Sequence, residues 1–110
     1  MRYVAVSVAL EDKAETRPNF VGSVYSCCLN TPFTVPEQAP PLFIASAQND
    51  PISNKSGPAI FTAWTAANRP AEIHIHQQGG HGFGTWSRNQ PVDTWLDRFA
   101  DWLRSLKFAN

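Results

Sequence analysis

The pattern of apolar and polar positions along the 110-residue chain predicts several short strands. Leu42 to Ala47 (LFIASA) is an almost unbroken apolar run, which is typical of a strand buried on both faces in a parallel sheet. Phe20 to Tyr25 (FVGSVY) predicts a second strand. Ala71 to His76 alternates apolar with polar residues, which predicts a strand with one polar, more solvent-exposed face. Tyr3 to Leu10 fits either a buried strand or a core helix.

Two further segments carry apolar residues at helical spacing. The first begins at Ser56, with Pro58 near its first turn, and Arg69-Pro70 stops it. The second is more strongly amphipathic, with the apolar residues Trp95, Leu96, Phe99, Trp102, Leu103 and Leu106 opposite Asp97, Asp101 and Arg104. Strands and helices that alternate with short connections predict an α/β fold, a parallel sheet with flanking helices.

Composition narrows the class of protein. With 43% hydrophobic and 16% charged residues, the chain is expected to fold as one globular domain. Nine basic and nine acidic residues leave no net charge, so neither nucleic acid nor a membrane surface is an expected partner. Four Trp and seven Phe without net charge favour self-association.

Targeting and redox features are few. The start of the chain has no signal-peptide pattern, and no stretch has the length of a membrane span, so a soluble, cytoplasmic protein is the default expectation. Cys27 and Cys28 are adjacent, a spacing that disfavours a disulfide between them, and they are expected to be reduced, buried thiols. Thr31 to Pro41 carries four prolines and is expected to be a loop.

Two residues with acid–base chemistry follow neighbouring predicted strands. Asp50 follows Leu42–Ala47, and His81 follows Ala71–His76 within a run of glycines. The carboxyl ends of parallel strands meet at one sheet edge, about 5 Å apart, so the two side chains are expected to meet. A carboxylate that accepts the Nδ1 hydrogen of an imidazole is the orienting half of a hydrolase triad. The alternatives are an Asx-turn at Asp50 before Pro51 and a plain connection in the glycine loop, whose spacing matches no phosphate-binding motif.

Other candidate sites have simpler explanations. His74 and His76 form an H-x-H pair, which together with His81 would offer three nitrogen ligands to zinc. A half-exposed strand face with a polar residue at every second position explains the pair equally, so neither a metal nor another cofactor is predicted. Trp86 follows the glycine loop and is a candidate for an apolar pocket lining, together with Phe83.

From Arg17 onward the chain resembles the C-terminal portion of α/β-hydrolase fold enzymes, specifically dienelactone-hydrolase-like esterases, which include acetyl-xylan-esterase-like proteins. The resemblance covers residues 17–108 and rests on four stretches: R-P-N-F before a strand ending in Tyr, P-P-L-F-I-A-S-A-Q-N-D-P-I, R-P-A-E-I-H-I-H-Q-Q-G-G-H-G-F-G, and the terminal W-L-x-R-F-x-x-W-L helix. It implies that residues 17–110 are the C-terminal part of an α/β-hydrolase domain. The match fades over the N-terminal residues 1–16, which are either the remnant of the helix that follows the nucleophile or an unrelated start.

The same resemblance implies that Asp50 is the acid and His81 the base of a Ser-Asp-His triad. The G-x-S-x-G motif that carries the nucleophile in this fold does not occur in the 110 residues. Two hypotheses follow. The chain is the acid–base half of a carboxylic-ester hydrolase, acting on a small ester when a Ser-bearing segment completes it, or it is a non-catalytic, truncated remnant that folds by self-association.

Self-association is also expected from the sheet, because truncation would leave apolar residues such as Val21, Phe43 and Ile44 open at an unpaired edge.

Overall fold

The structure, a computed structural model, describes residue 10 and residues 17–25 and 33–108. Three parallel strands form one sheet in the order β1-β2-β3: β1 is Val21–Val24, β2 is Leu42–Ala47 and β3 is Ala71–His76. The bounds of β2 and β3 agree with the sequence prediction, whereas β1 is one residue shorter at each end than the predicted Phe20–Tyr25. The central position of β2 is the physical reason for its apolar composition, since both of its faces are covered.

Two helices cover the sheet. Helix α1 (Ser56–Ala66) packs against β2 and β3, and helix α2 (Trp95–Ser105), preceded by a 3-10 turn at Pro91–Thr94, packs against β2. Each helix begins where the sequence predicts it. The chain leaves α1 through Asn68, which has a left-handed backbone (φ 57°), directly before Arg69-Pro70.

The core has two halves, one on each face of β2. On the α1 side the fully packed residues are Val21, Ala39, Leu42, Ile44, Ile60 and Trp64. On the α2 side they are Phe43, Ala45, Ala47, Phe83, Val92 and Trp102. Aromatic rings dominate the second half, where the ring of Phe43 lies 5.0 Å from that of Phe99 and 5.6 Å from that of Trp102.

This packing corrects two expectations. Val21, Phe43 and Ile44 are buried rather than open, because helices within the described chain already cover both faces of β2. On β3 the alternation is only partly realised: Ile75, on the predicted apolar face, is 46% exposed, while His74 on the polar face lies against Phe43. β3 lies at the edge of the described sheet, and none of its six residues is fully buried.

Several expectations concern residues that the structure does not describe. Apart from Leu10, the Tyr3–Leu10 segment lies outside the described residues, as do Cys27, Cys28 and the first two residues of the predicted loop. The proposed boundary after residue 16 also falls there. In the described part of the chain, no helix has the length and apolar character needed to cross a membrane.

Candidate active site

Asp50 lies in the turn that follows β2, and its side chain is fully buried. Its Oδ1 accepts the backbone N–H of Ile52 at 2.9 Å, which is the Asx-turn that the sequence before Pro51 favours. Its Oδ2 accepts the hydroxyl hydrogen of Ser53 and lies 2.8 Å from Nδ1 of His81. The turn and the contact with His81 therefore coexist, because each uses a different carboxylate oxygen.

His81 comes from the glycine loop after β3. The loop is tied to the turn after β2, since the backbone N–H of Gly80 donates to Oδ1 of Asn49 at 2.8 Å. Gly79 passes so close to the sheet that a Cβ at this position would lie 3.1 Å from that of Ala47. Glycines precede His81 for two reasons. A side chain at position 79 would crowd Ala47, and Gly80 has a left-handed backbone at φ 67°.

The electrostatics of Asp50 follow from its contacts. Burial raises the pKa of the carboxyl group, but the hydrogen bonds from Ser53, from His81 and from the N–H of Ile52 outweigh it, so the pKa lies below the ordinary 3.8. At neutral pH Asp50 is thus an anion that only accepts hydrogen bonds. Nδ1 of His81 must then be the donor, and the lone pair of neutral His81 is on Nε2.

The second ring nitrogen of His81 is available for chemistry. No residue in the described part of the chain hydrogen-bonds Nε2, and the side chain is 29% exposed. The predicted meeting of Asp50 and His81 is confirmed by the 2.8 Å distance, while their catalytic role stays a prediction.

An aromatic ring lies against the imidazole. The ring of Tyr25, at the end of β1, meets His81 edge-on at 5.2 Å and Phe83 at 4.8 Å. Tyr25 has an uncommon left-handed backbone (φ 39°), and its N–H donates to the carbonyl oxygen of Ala45 at 2.8 Å. Phe83 is only 1% exposed, so its ring packs against Tyr25 and is not an accessible surface of a pocket.

Trp86 lies at the surface. It is 71% exposed, and the guanidinium of Arg88 stacks over its ring at 5.7 Å. The same Arg88 donates to the carbonyl oxygen of Gly79 at 2.9 Å, which links the Trp86 segment to the glycine loop of His81.

The three histidines do not form a metal site. His74 instead pairs with Glu72 at 2.8 Å. Two effects lower the pKa of His76: the larger is burial, and the smaller is the charge of His74. Among the described residues, no group of three or more His, Cys, Asp or Glu side chains is arranged to hold a metal ion.

The sequence prediction missed three residues of this site. Ser53 binds Asp50, Asn49 ties the two loops together, and Tyr25 covers one side of His81. No sequence signal distinguishes Ser53 from the other serines, because its bond to Asp50 depends on the local shape of the turn. Tyr25 is 56 residues from His81 in sequence, and only the parallel pairing of β1 with β2 brings its end of the sheet to the site.

No protein-family model and no curated protein sequence matches this chain. It is similar, however, to solved structures. An α/β hydrolase enzyme from a Medee basin deep-sea metagenome library is 26% identical, with a TM-score of 0.77 over 94% of this chain and 50% of that one. An acetyl ester-xyloside bifunctional hydrolase from Caldicellulosiruptor lactoaceticus is 19% identical, with a TM-score of 0.82 over 99% of this chain and 54% of that one.

The chain thus spans about half the length of the solved structures that it matches. The sequence prediction of an α/β sheet that resembles an α/β hydrolase is confirmed. The chain has the fold of part of an α/β-hydrolase domain.

Proposed function

We propose that this chain carries the acid and the base of a serine carboxylic-ester hydrolase. One observation carries the proposal: Oδ2 of the fully buried Asp50 lies 2.8 Å from Nδ1 of His81, whose other ring nitrogen is left for a reacting group. The likeness to α/β hydrolases supports it, because in that fold an Asp that follows a strand and a later His complete the triad.

The chemistry needs a serine from a segment bearing the G-x-S-x-G motif. Nε2 of His81 takes the proton of that hydroxyl while the serine oxygen bonds to the ester carbonyl carbon and the carbonyl π electrons move to the carbonyl oxygen. Asp50 stabilises the resulting imidazolium. The carbonyl bond then re-forms, the bond between carbon and the alcohol oxygen breaks, and the Nε2 proton passes to that oxygen, which leaves an acyl-serine. Water repeats the sequence: its proton goes to Nε2, its oxygen displaces the serine, and the proton returns to the serine oxygen.

The substrate is proposed to be a small-molecule ester. Trp86 is the open aromatic surface available to such a ligand near the glycine loop, since it is largely exposed and Arg88 links it to Gly79. Phe83 is proposed to act on the substrate pocket indirectly, by packing against the ring of Tyr25.

A second proposal is a non-catalytic chain that folds by self-association. It is favoured by one fact, that none of the serines in the 110 residues has the flanking glycines of the nucleophile motif. Light scattering over a tenfold concentration range should then show dimers or larger species. A constant monomer mass of 12.2 kDa at the highest concentration would contradict it.

The coding sequence directly upstream of the Met1 codon separates the two proposals. The hydrolase proposal expects an in-frame segment with G-x-S-x-G, or a separately encoded chain with this motif that binds the present one. A stop codon in frame, with no Ser-bearing partner recovered together with the chain, would favour the non-catalytic proposal.

A further inference from the structure

We infer that Ser53 is a positioning residue that holds the Asp50 carboxylate in place against His81. The inference rests on the proposed function of the Asp50–His81 pair, and it assigns a role to a side chain that does not itself contact the imidazole.

The geometry of Ser53 is well defined. Its hydroxyl donates to Oδ2 of Asp50, the same oxygen that accepts the Nδ1 hydrogen of His81. Its backbone is fixed at the start of α1, since the carbonyl oxygen of Ser53 accepts the N–H of Gly57 at 3.2 Å. The carbonyl of Asp50 in turn accepts the N–H of Asn54 at 3.0 Å, so the turn from Asp50 to Ser53 is closed at both ends.

A buried carboxylate needs such a donor. Asp50 is fully buried, and its donors within the described residues are the N–H of Ile52, the hydroxyl of Ser53 and Nδ1 of His81. The N–H of Ile52 holds one oxygen and the hydroxyl of Ser53 holds the other, which together fix the rotation of the carboxyl group. Two donors on Oδ2 also keep negative charge on the oxygen that faces the imidazole.

Burial of a serine does not by itself explain the bond. Ser46 on β2 is equally buried, and its hydroxyl has no hydrogen-bond partner in the part of the chain that the structure describes. This fold therefore tolerates a buried serine without a partner. Ser46 is also a matched control, because its replacement by Ala removes the same atom from the same domain.

The test uses the full chain and two nuclear magnetic resonance signals: the carboxyl carbon of Asp50 during a pH titration, and the Nδ1 hydrogen of His81. We expect Ser53→Ala to raise the pKa of Asp50 and to weaken or remove the Nδ1 hydrogen signal, because burial is then opposed by fewer donors. Ser46→Ala should leave both unchanged, and Ser53→Thr, which keeps the hydroxyl, should restore both.

Two results would overturn the inference: an Asp50 titration in Ser53→Ala that matches the wild type, or the same shift in Ser46→Ala. If Ser53→Ala does not fold, Ser53→Cys tests the same point. A thiol is of similar size to the hydroxyl but is a weaker donor, so the pKa of Asp50 should rise above its wild-type value in this variant. An unchanged titration there would also overturn the inference.

No ester is hydrolysed in this experiment, so its outcome is separate from that of the proposed function. A negative result removes the role of Ser53 and leaves the Asp50–His81 pair as it is. Failure to find hydrolase activity would leave the titration result standing.

Discussion

Replacing Asp50 by Asn should reverse the tautomer of neutral His81. In the wild type both Ser53 and Nδ1 of His81 donate to Oδ2. In Asp50→Asn the amide oxygen can keep the N–H of Ile52, which places the NH₂ group toward Ser53 and His81. That group is a donor, so Nδ1 must become an acceptor and the ring hydrogen must move to Nε2.

The size of the effect follows from the bond that changes. A hydrogen bond to a charged group contributes about 1.5–3 kcal/mol, which favours the Nδ1–H tautomer of the wild type about 13- to 160-fold. A neutral bond contributes about 0.5–1.5 kcal/mol, so the Nε2–H form should lead by about 2- to 13-fold in the Asp50→Asn variant. A ring protonated on Nε2 cannot accept a serine proton, and an equivalent change in a complete triad lowers kcat by about 10⁴.

Nitrogen-15 resonance of the histidine rings at about pH 9, where an ordinary imidazole is neutral, measures the tautomer directly. His81→Gln assigns the signals. The wild type should show hydrogen on Nδ1 and the Asp50→Asn variant hydrogen on Nε2. An Asp50→Asn variant that keeps its hydrogen on Nδ1 would refute the assignment of donor and acceptor in this pair.

Three further predictions concern the isolated chain. Without a nucleophile motif, it should hydrolyse p-nitrophenyl acetate no faster than free imidazole does, and a faster rate that His81→Ala removes would contradict this. Gly80→Ala, with nothing within 4 Å of its Cβ, should destabilise the fold by the backbone strain alone, about 1–2 kcal/mol in urea unfolding. Gly79→Ala should destabilise it by about 1–3 kcal/mol more than Gly80→Ala does, because it combines a positive φ of 157° with a new Cβ 3.1 Å from that of Ala47. Equal effects of the two substitutions would contradict the crowding at Gly79. The folded state lowers the pKa of Asp50, so its carboxylate stabilises the fold above the unfolded pKa of 3.8, and this contribution is lost as the pH falls through that value and below it. Asp50→Asn should therefore lose less stability than the wild type between about pH 6 and about pH 3. Parallel losses of stability in urea unfolding would contradict the lowered pKa.

Elements whose pattern depends on local burial could be predicted from the sequence. The apolar run of β2 is buried on both faces, and the apolar positions predicted for α2 are buried or half-buried, except Leu96, which is 46% exposed. The meeting of Asp50 and His81 was also predictable, because it needs only that two adjacent parallel strands end at one edge.

Features that depend on packing between distant segments could not be predicted. Ile75 follows the apolar alternation of β3 and is nevertheless exposed, since burial there depends on what lies beside the strand. Phe83 lies within the glycine run at 79–84 and was predicted at the pocket, but it is only 1% exposed and packs in the core on the α2 side. The hydroxyl of Ser53 reaches Asp50 through the local shape of one turn, which residue types alone do not specify.

A chimera measures the central claim most directly. The half of the 26% identical metagenome hydrolase that this chain does not cover would be joined to the full chain, residues 1–110, and hydrolysis of p-nitrophenyl acetate would be followed. If Asp50 and His81 supply the acid and base, the chimera is active, and His81→Gln and Asp50→Asn each lower its kcat by about 10⁴ or more. The matched control is His74→Gln, which alters the pair with Glu72 on β3 and should leave kcat unchanged. An active chimera that keeps its rate after His81→Gln would contradict the account.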